Sequence, residues 1–187
     1  MNQIFYDAVQ ENPIIAAIKD DEGLEECLKS NIQVIFILYG DICSIPEIVG
    51  RIKDSGRIAM VHIDLINGLS GKDISVDFIH KNTRADGIIT TRQGLVLRAK
   101  ELGLYTILRI FVIDSMALSE AGRIKIVQPD FIEILPGIMP KIIKKIRMST
   151  KIPLLAGGLI SEKQDVIDAL DAGAMAVSST SKKVWSF

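Results

Sequence analysis

Two segments in the last third of the chain have the composition of a phosphate-binding site. Ala156-Gly157-Gly158-Leu159-Ile160 follows an apolar run and leads into a predicted helix, and a second apolar run leads into Ser178-Ser179-Thr180-Ser181. Glycines let backbone N–H groups approach phosphate oxygens, and a helix N-terminus adds partial positive charge. A tight turn or an exposed cap would explain either segment alone, but two in succession favour a phosphate site. We predict that the phosphate contacts Gly157, Gly158, Ser178 and Ser179.

Several polar residues interrupt otherwise apolar runs. His62 and Asp64 end the third run, where alternation places both side chains on one face. Arg109 and Glu133 lie inside the fifth and sixth runs, and a buried charge there needs a partner or an ionic ligand. An internal ion pair and direct ligand contact are both open for Arg109 and Glu133. We expect the polar ligand contacts to come from His62, Asp64, Arg109, Glu133 and Gly137.

Eight apolar runs, separated by segments with helical spacing, predict the elements that position these residues. Most runs are β-branched and lack strict alternation, which is typical of parallel strands buried on both faces. They predict a compact TIM-type (β/α)8 barrel forming one domain over residues 1–187. A doubly wound open sheet is the competing architecture, and the phosphate signal favours the barrel because barrels often bind phosphate after strands seven and eight. The predicted strands are Ile14–Ile18, Val34–Tyr39, Ile58–Leu65, Gly87–Thr91, Tyr105–Ile113, Phe131–Leu135, Ile152–Ala156 and Ala174–Ser178.

Helix boundaries are marked by polar residues, glycines and proline. Ser44 with Glu47 and Ser161 with Gln164 have the capping-box spacing. Gly56, Gly103 and Gly173 stand where helices are expected to end.

Composition indicates a globular intracellular protein. The net charge is −1, so no global basic excess points to nucleic acid. No apolar run reaches membrane-spanning length and the N-terminus lacks signal-peptide features, so we expect a cytoplasmic location without membrane contact. Cys27 and Cys43 show no metal-ligand spacing and are expected to be buried apolar residues. We expect no bound metal.

The residues also resemble a known family along nearly the whole chain, to Trp185. The sequence is similar to the glycerol-uptake operon antiterminators, which are glycerol-3-phosphate-responsive regulators. The strings that carry the resemblance are His62-Ile63-Asp64-Leu65 with Gly68, Asp86-Gly87-Ile88-Ile89-Thr90-Thr91, Arg109 with Ile113-Asp114-Ser115, Pro129-Asp130 with Glu133-Ile134-Leu135-Pro136-Gly137, and Ala156-Gly157-Gly158-Leu159-Ile160.

The resemblance implies a regulator without catalytic residues or cofactor. Its effector would be glycerol 3-phosphate, and its target the leader mRNA of glycerol-utilisation genes; a homo-oligomer is possible in such a protein. The alternative is a barrel enzyme, an isomerase or a glycerol-phosphate prenyl transferase, with Asp64 or Glu133 as acid–base groups. Two basic clusters are candidate RNA contacts, although a solvated helix face is the better explanation of either. They are Lys141, Lys144, Lys145, Arg147 and Lys151, and Arg51, Lys53 and Arg57.

Overall fold

A computed structural model describes residues 3–121, 124 and 127–187, and shows a closed barrel of eight parallel strands. Each strand pairs with the next in sequence, and the first pairs with the last, so the predicted (β/α)8 architecture is confirmed. The strands are β1 (Ile14–Ile18), β2 (Val34–Ile37), β3 (Ile58–His62), β4 (Gly87–Thr90), β5 (Tyr105–Phe111), β6 (Phe131–Leu135), β7 (Leu154–Gly157) and β8 (Ala176–Ser179).

Helices follow the first seven strands and cover the outside of the barrel. After β8 the described chain forms only a 3₁₀ turn, Val184–Ser186. The helices are α1 (Ile4–Glu11), α2 (Asp21–Leu28), α3 (Ile45–Asp54), α4 (Asp73–Asn82), α5 (Gln93–Glu101), α6 (Ser115–Ala121), α7 (Pro140–Ser149) and α8 (Lys163–Asp171). Within the described ranges, no helix has both the length and the apolarity needed to span a membrane.

Alternation along the strands separates two apolar layers. One set of side chains, including Ile15, Phe36 and Met60, packs inside the barrel. The other set, including Ile35 and Val61, packs against the surrounding helices. Both faces of each strand are therefore buried, which explains why the strands are apolar runs rather than alternating patterns.

Helix α1 closes the N-terminal end of the barrel. Phe5 and Val9 are fully buried and join the interior layer. The Phe5 ring lies 4.5 Å from the Phe131 ring and 5.6 Å from the Tyr105 ring, measured between centroids. Since this end is filled with apolar side chains, any ligand must enter at the opposite end, where the strands finish.

Two polar residues stabilise the N-terminal end of the sheet. The Asp86 carboxylate accepts hydrogen bonds from Lys53 Nζ and from the backbone N–H of Ala59. The Asp130 carboxylate accepts from both the hydroxyl and the N–H of Thr106. Asp86 therefore has a structural partner at the end of the barrel away from the predicted site.

The structure differs from the sequence-based expectations at some boundaries. The third strand ends at His62, and Ile63–Leu65 form a 3₁₀ turn. The capping box of α8 uses Glu162 and Asp165 rather than Ser161 and Gln164. The Ser44 hydroxyl interacts with Asp41 instead of capping α3. The expectation that Cys43 is buried is wrong, since this residue sits in an exposed turn, whereas Cys27 is buried.

Replacing the aromatic residue that plugs the barrel will destabilise the protein. We expect Phe5→Ala to lower the free energy of unfolding by about 3–5 kcal/mol, because truncation leaves a cavity between Phe131 and Tyr105. Ile4→Ala is the matched control, since Ile4 is 56% exposed on the same helix and its truncation is expected to cost under about 0.5 kcal/mol. Urea denaturation of both variants measures the difference. Equal losses would show that α1 does not plug the barrel.

Candidate functional site

A cavity of about 410 Å³ opens at the C-terminal ends of the strands. Its wall combines residues from the loops after β7 and β8 with side chains from four other strands or their ends. Three of the four residues predicted to bind phosphate are among them. The lining residues are Ala17, Leu38, Arg109, Leu135, Gly158, Leu159, Ile160, Ser161, Ser178, Ser179, Thr180 and Ser181.

The loop after β7 turns sharply into the cavity wall. Gly158 and Leu159 both have positive φ, at 75° and 63°. A left-handed conformation is ordinary for glycine but strained for leucine, and such strain is concentrated at functional sites. Among the hydrogen bonds of the described residues, none uses the backbone N–H of Gly158 or Leu159. Two adjacent N–H groups are therefore available to an anion.

The loop after β8 is held by its own serine hydroxyls. Ser178 Oγ donates to Glu133 Oε1 at 2.5 Å, and Ser179 Oγ donates to the Ile160 carbonyl at 2.6 Å. Ser179 Oγ also accepts from the N–H of Ser181 at 3.0 Å. These hydroxyls fix the loop shape, so a ligand would meet the backbone here. The N–H of Thr180 makes none of the hydrogen bonds found in the described chain.

Arg109 and Glu133 form a buried ion pair between neighbouring strands. Arg109 Nε donates to Glu133 Oε2 at 2.6 Å, with Arg109 8% exposed and Glu133 fully buried. Arg109 on β5 and Glu133 on β6 are partners in the strand register, so their side chains meet on the inward face. Of the two interpretations that the sequence left open, the ion pair is present. Since Arg109 also lines the cavity, the same guanidinium is placed to contact a ligand.

Gly157 and Gly137 allow three backbone segments to approach closely. A Cβ atom on Gly157 would lie 2.5 Å from Ser178 Oγ, so a side chain would displace the Glu133–Ser178 hydrogen bond. A Cβ on Gly137 would lie 2.9 Å from the Gly157 nitrogen. The Gly137 N–H donates to the Gly158 carbonyl at 3.0 Å. Neither Gly157 nor Gly137 lines the cavity, so the structure places both behind the loop that does.

His62 faces the barrel interior at the end of β3 and carries an unpaired atom. It is 3% exposed, and within the described part of the chain its Nδ1 is the one fully buried side-chain nitrogen or oxygen without a hydrogen-bond partner. Burial, together with the nearby Arg109 charge, lowers the pKa of His62 to about 4. The imidazole is therefore neutral at pH 7, with one nitrogen able to receive a ligand hydroxyl.

Asp64 lies elsewhere than its sequence position led us to expect. The 3₁₀ turn after β3 carries it to the rim, where its carboxylate accepts from Thr90 Oγ1 at 3.0 Å and from the Thr91 N–H at 2.7 Å. Thr91 Oγ1 also donates to it, and Arg92 Nε lies 3.6 Å away. The carboxylate thus ties the β3 turn to the loop after β4 and does not share the face of His62.

Sequence reasoning missed some of the cavity wall. Leu159 and Thr180 adjoin predicted residues, but nothing in the sequence indicated that a leucine would adopt a left-handed conformation or that the Thr180 N–H would lack a partner. Ala17 and Leu38 also line the cavity, although their strands carry no polar signal. The described residues include no group of three or more His, Cys, Asp or Glu side chains that would hold a metal ion.

The fold and this cavity define a (β/α)8 barrel with a candidate anion site at the β7 and β8 loops. Residues 14–185 match the model of the glycerol-3-phosphate responsive antiterminator family, and the chain belongs to that family.

Solved structures and a curated relative support the assignment. A glycerol uptake operon antiterminator regulatory protein from Listeria monocytogenes str. 4b F2365 superposes with a TM-score of 0.89 at 34% identity, covering 93% of this chain and 95% of that chain. A glycerol uptake operon antiterminator-related protein from Thermotoga maritima MSB8 gives a TM-score of 0.81 at 31% identity, covering 92% and 96%. The uncharacterised protein YgcP of Escherichia coli K12 is 39% identical over 180 residues, which are 95% of this chain and 94% of YgcP.

The lowered pKa of His62 predicts part of the loss of folding stability at acidic pH. Because the folded pKa, about 4, lies below the ordinary value near 6.5, the unfolded chain binds a proton that the folded protein excludes. Stability should therefore fall as the pH drops from 6.5 through 4, by on the order of 3 kcal/mol from this residue. Urea denaturation across this range should show a weaker pH dependence for His62→Gln than for wild type. His80→Gln, which changes the exposed histidine, is the control, and a wild-type pH profile for His62→Gln would contradict the assignment.

Proposed function

We propose that the protein is a regulator that binds glycerol 3-phosphate at the barrel mouth and, in that state, binds the leader mRNA of glycerol-utilisation genes. The observation that carries the proposal is the juxtaposition of unpaired backbone N–H groups with Arg109 in one cavity. The description of the family, a glycerol-3-phosphate responsive antiterminator, supports the choice of effector and of an RNA target.

The cavity chemistry suits a small phosphate monoester. The N–H groups of Gly158, Leu159 and Thr180 would receive phosphate oxygens, and Arg109 would supply positive charge. The volume, about 410 Å³, lies in the range of small-molecule sites. His62 is not among the residues that line the cavity, so its buried Nδ1 would reach a glycerol hydroxyl only if neighbouring side chains move. Asp64 and Gly137 would not contact the ligand. They would hold the loops after β4 and β7 in position.

The arrangement of the carboxylates favours binding over catalysis. Both oxygens of Glu133 accept hydrogen bonds, from Arg109 and from Ser178, and Asp64 accepts from several donors at the rim. A general base must be free to take a proton from substrate, and neither group is free in this geometry. The eight strands also contain no lysine, so they offer no amine for a Schiff base. We therefore propose a regulatory protein rather than a barrel enzyme.

Glycerol 3-phosphate binding should depend on the glycine at the tip of the β7 loop. Gly158→Asp would place a carboxylate against the phosphate and should reduce affinity by at least about 100-fold, by charge repulsion in a desolvated site. Gly103→Asp is the matched control because Gly103 has nearly the same φ, 74° against 75°, and open space for a side chain. Isothermal titration calorimetry measures both variants. A control that binds as weakly as Gly158→Asp would point to backbone strain alone, and absence of wild-type binding would overturn the proposed effector.

Effector and RNA should each strengthen the binding of the other. If glycerol 3-phosphate tightens leader-RNA binding by a given factor, RNA must tighten glycerol 3-phosphate binding by the same factor. A coupling of about 5–150-fold is the ordinary range for an allosteric protein. Titrations of RNA at fixed salt, with and without effector, and the reciprocal titration, measure both factors. Equal RNA affinity in the two states would contradict the regulator and favour the enzyme alternative, which a search for turnover of glycerol 3-phosphate would then test.

A further inference from the structure

Helix α7 presents a concentrated positive face. No aspartate or glutamate occurs between Glu133 and Glu162, although the whole chain has a net charge of −1. All basic side chains of this stretch belong to residues that are exposed to solvent, and none takes part in an ion pair of the described chain. These residues, called here the α7 basic face, are Lys141, Lys144, Lys145, Arg147 and Lys151.

Several basic residues elsewhere in the described chain have structural partners. Arg51 pairs with Glu25, Arg84 with Asp54, and Arg98 with Asp77 and Glu101. In the second cluster that the sequence offered, Lys53 binds Asp86 and Arg57 binds three backbone carbonyls. Because these side chains already bind other groups of the barrel, we do not consider this cluster a candidate RNA-contact surface.

The charge pattern of α7 opposes the stability of the helix. Lys141 lies in the first turn, where the helix dipole disfavours a cation, and that turn contains no acidic residue. Lys141 and Lys145 are four residues apart, and Lys144 and Arg147 three, so like charges are neighbours on the surface. A helix that needed only solubility would be more stable with acids interspersed. Its composition is better explained by an anionic partner.

The geometry favours a nucleic-acid backbone over a lipid surface. Ile143 and Ile146 are buried against the barrel, and Met148 is the one large apolar residue of α7 with a strongly exposed side chain. A membrane-binding helix would need an apolar face to insert, and α7 has none to offer. Ten residues of helix extend about 15 Å, enough for a row of lysines to follow several phosphates of one strand.

The same helix is connected to the effector cavity through one short loop. Met139, immediately before Pro140, is the N-cap residue of α7, and two residues earlier the Gly137 N–H bonds to the carbonyl of Gly158. Gly158 itself lines the cavity. One hydrogen bond therefore links the β7 loop at the cavity to the segment that leads into α7.

We propose that the α7 basic face is the RNA-contact surface, binding the phosphate backbone of a single strand, and that the Gly137–Gly158 hydrogen bond couples it to the effector cavity. This inference rests on the regulatory function proposed above. Lysine contacts to phosphates position the RNA without reading bases, so sequence preference must come from neighbouring loops.

The test is a double variant that removes two positive charges, Lys144→Gln with Lys145→Gln. The probes are the leader transcript of a glycerol-utilisation gene and a single-stranded RNA of random sequence, each with saturating glycerol 3-phosphate. Loss of two phosphate contacts should weaken both probes at least roughly tenfold near 0.1 M salt and reduce the slope of log affinity against log salt by about 1.4. The control is Lys72→Gln with Lys81→Gln, which removes the same charge from two exposed lysines at the ends of α4.

Each outcome has a defined meaning. The expected result is weaker RNA binding by the α7 variant alone, with its calorimetric affinity for glycerol 3-phosphate unchanged. Equal effects of the α7 and α4 variants would overturn the assignment while leaving the regulatory function intact. Failure of the wild-type protein to bind either RNA would overturn the regulatory function itself. Co-sedimentation with phosphatidylglycerol vesicles, lost in the α7 variant while RNA binding persists, would assign the face to a membrane and contradict the proposal.

Discussion

The mouth of the barrel depends on one fully buried carboxylate. Glu133 has no exposed surface, and a buried charge is tolerated only with hydrogen-bonded partners. Arg109 on β5 and Ser178 on β8 supply them, so a single side chain on β6 fixes the relative positions of three strands. Removing one partner of such a pair costs about 3–5 kcal/mol, whereas the complete pair contributes mainly to geometry. Gly157 follows from the same constraint, because a side chain there would occupy the space between Glu133 and Ser178.

The groups that the candidate site offers to a ligand are those that the Glu133 hydrogen-bond network does not use. The hydroxyls of Ser178 and Ser179 make hydrogen bonds within the protein, which leaves the unpaired backbone N–H groups of Gly158, Leu159 and Thr180 as free donors among these cavity-lining residues. Arg109 is held at Nε by Glu133 and lines the cavity, and burial, together with the Arg109 charge, keeps His62 neutral. A guanidinium and backbone N–H groups fixed in this way are the kind of preorganised groups that suit a small anion.

Most of the fold could be predicted from the sequence, and four of the predicted site residues, Gly158, Ser178, Ser179 and Arg109, line the cavity. All eight apolar runs became strands, and alternation along them correctly turned His62, Arg109 and Glu133 inward. What failed was local: Asp64 left the strand face because the backbone entered a 3₁₀ turn, which alternation cannot anticipate. The left-handed Leu159 was equally hidden, since leucine disfavours this conformation and no local sequence signal marks it. The periodicity of apolar residues predicts which side chains are buried. The cavity wall depends instead on contacts between loops that are far apart in the sequence.

The pairing of β1 with β8, which closes the barrel, has a consequence for how the protein folds. Ile14 on β1 pairs with Val177 on β8, so the last seam joins segments from opposite ends of the described chain. Such long-range pairing is slow, because loop-closure entropy is lost before the contacts form. The cavity is lined by Ala17 from β1 and by Ser178 and Ser179 from β8. It is therefore complete only when β1 and β8 are paired. A ligand that binds this cavity would stabilise the closed seam by mass action, because it would bind the folded protein and not the unfolded chain.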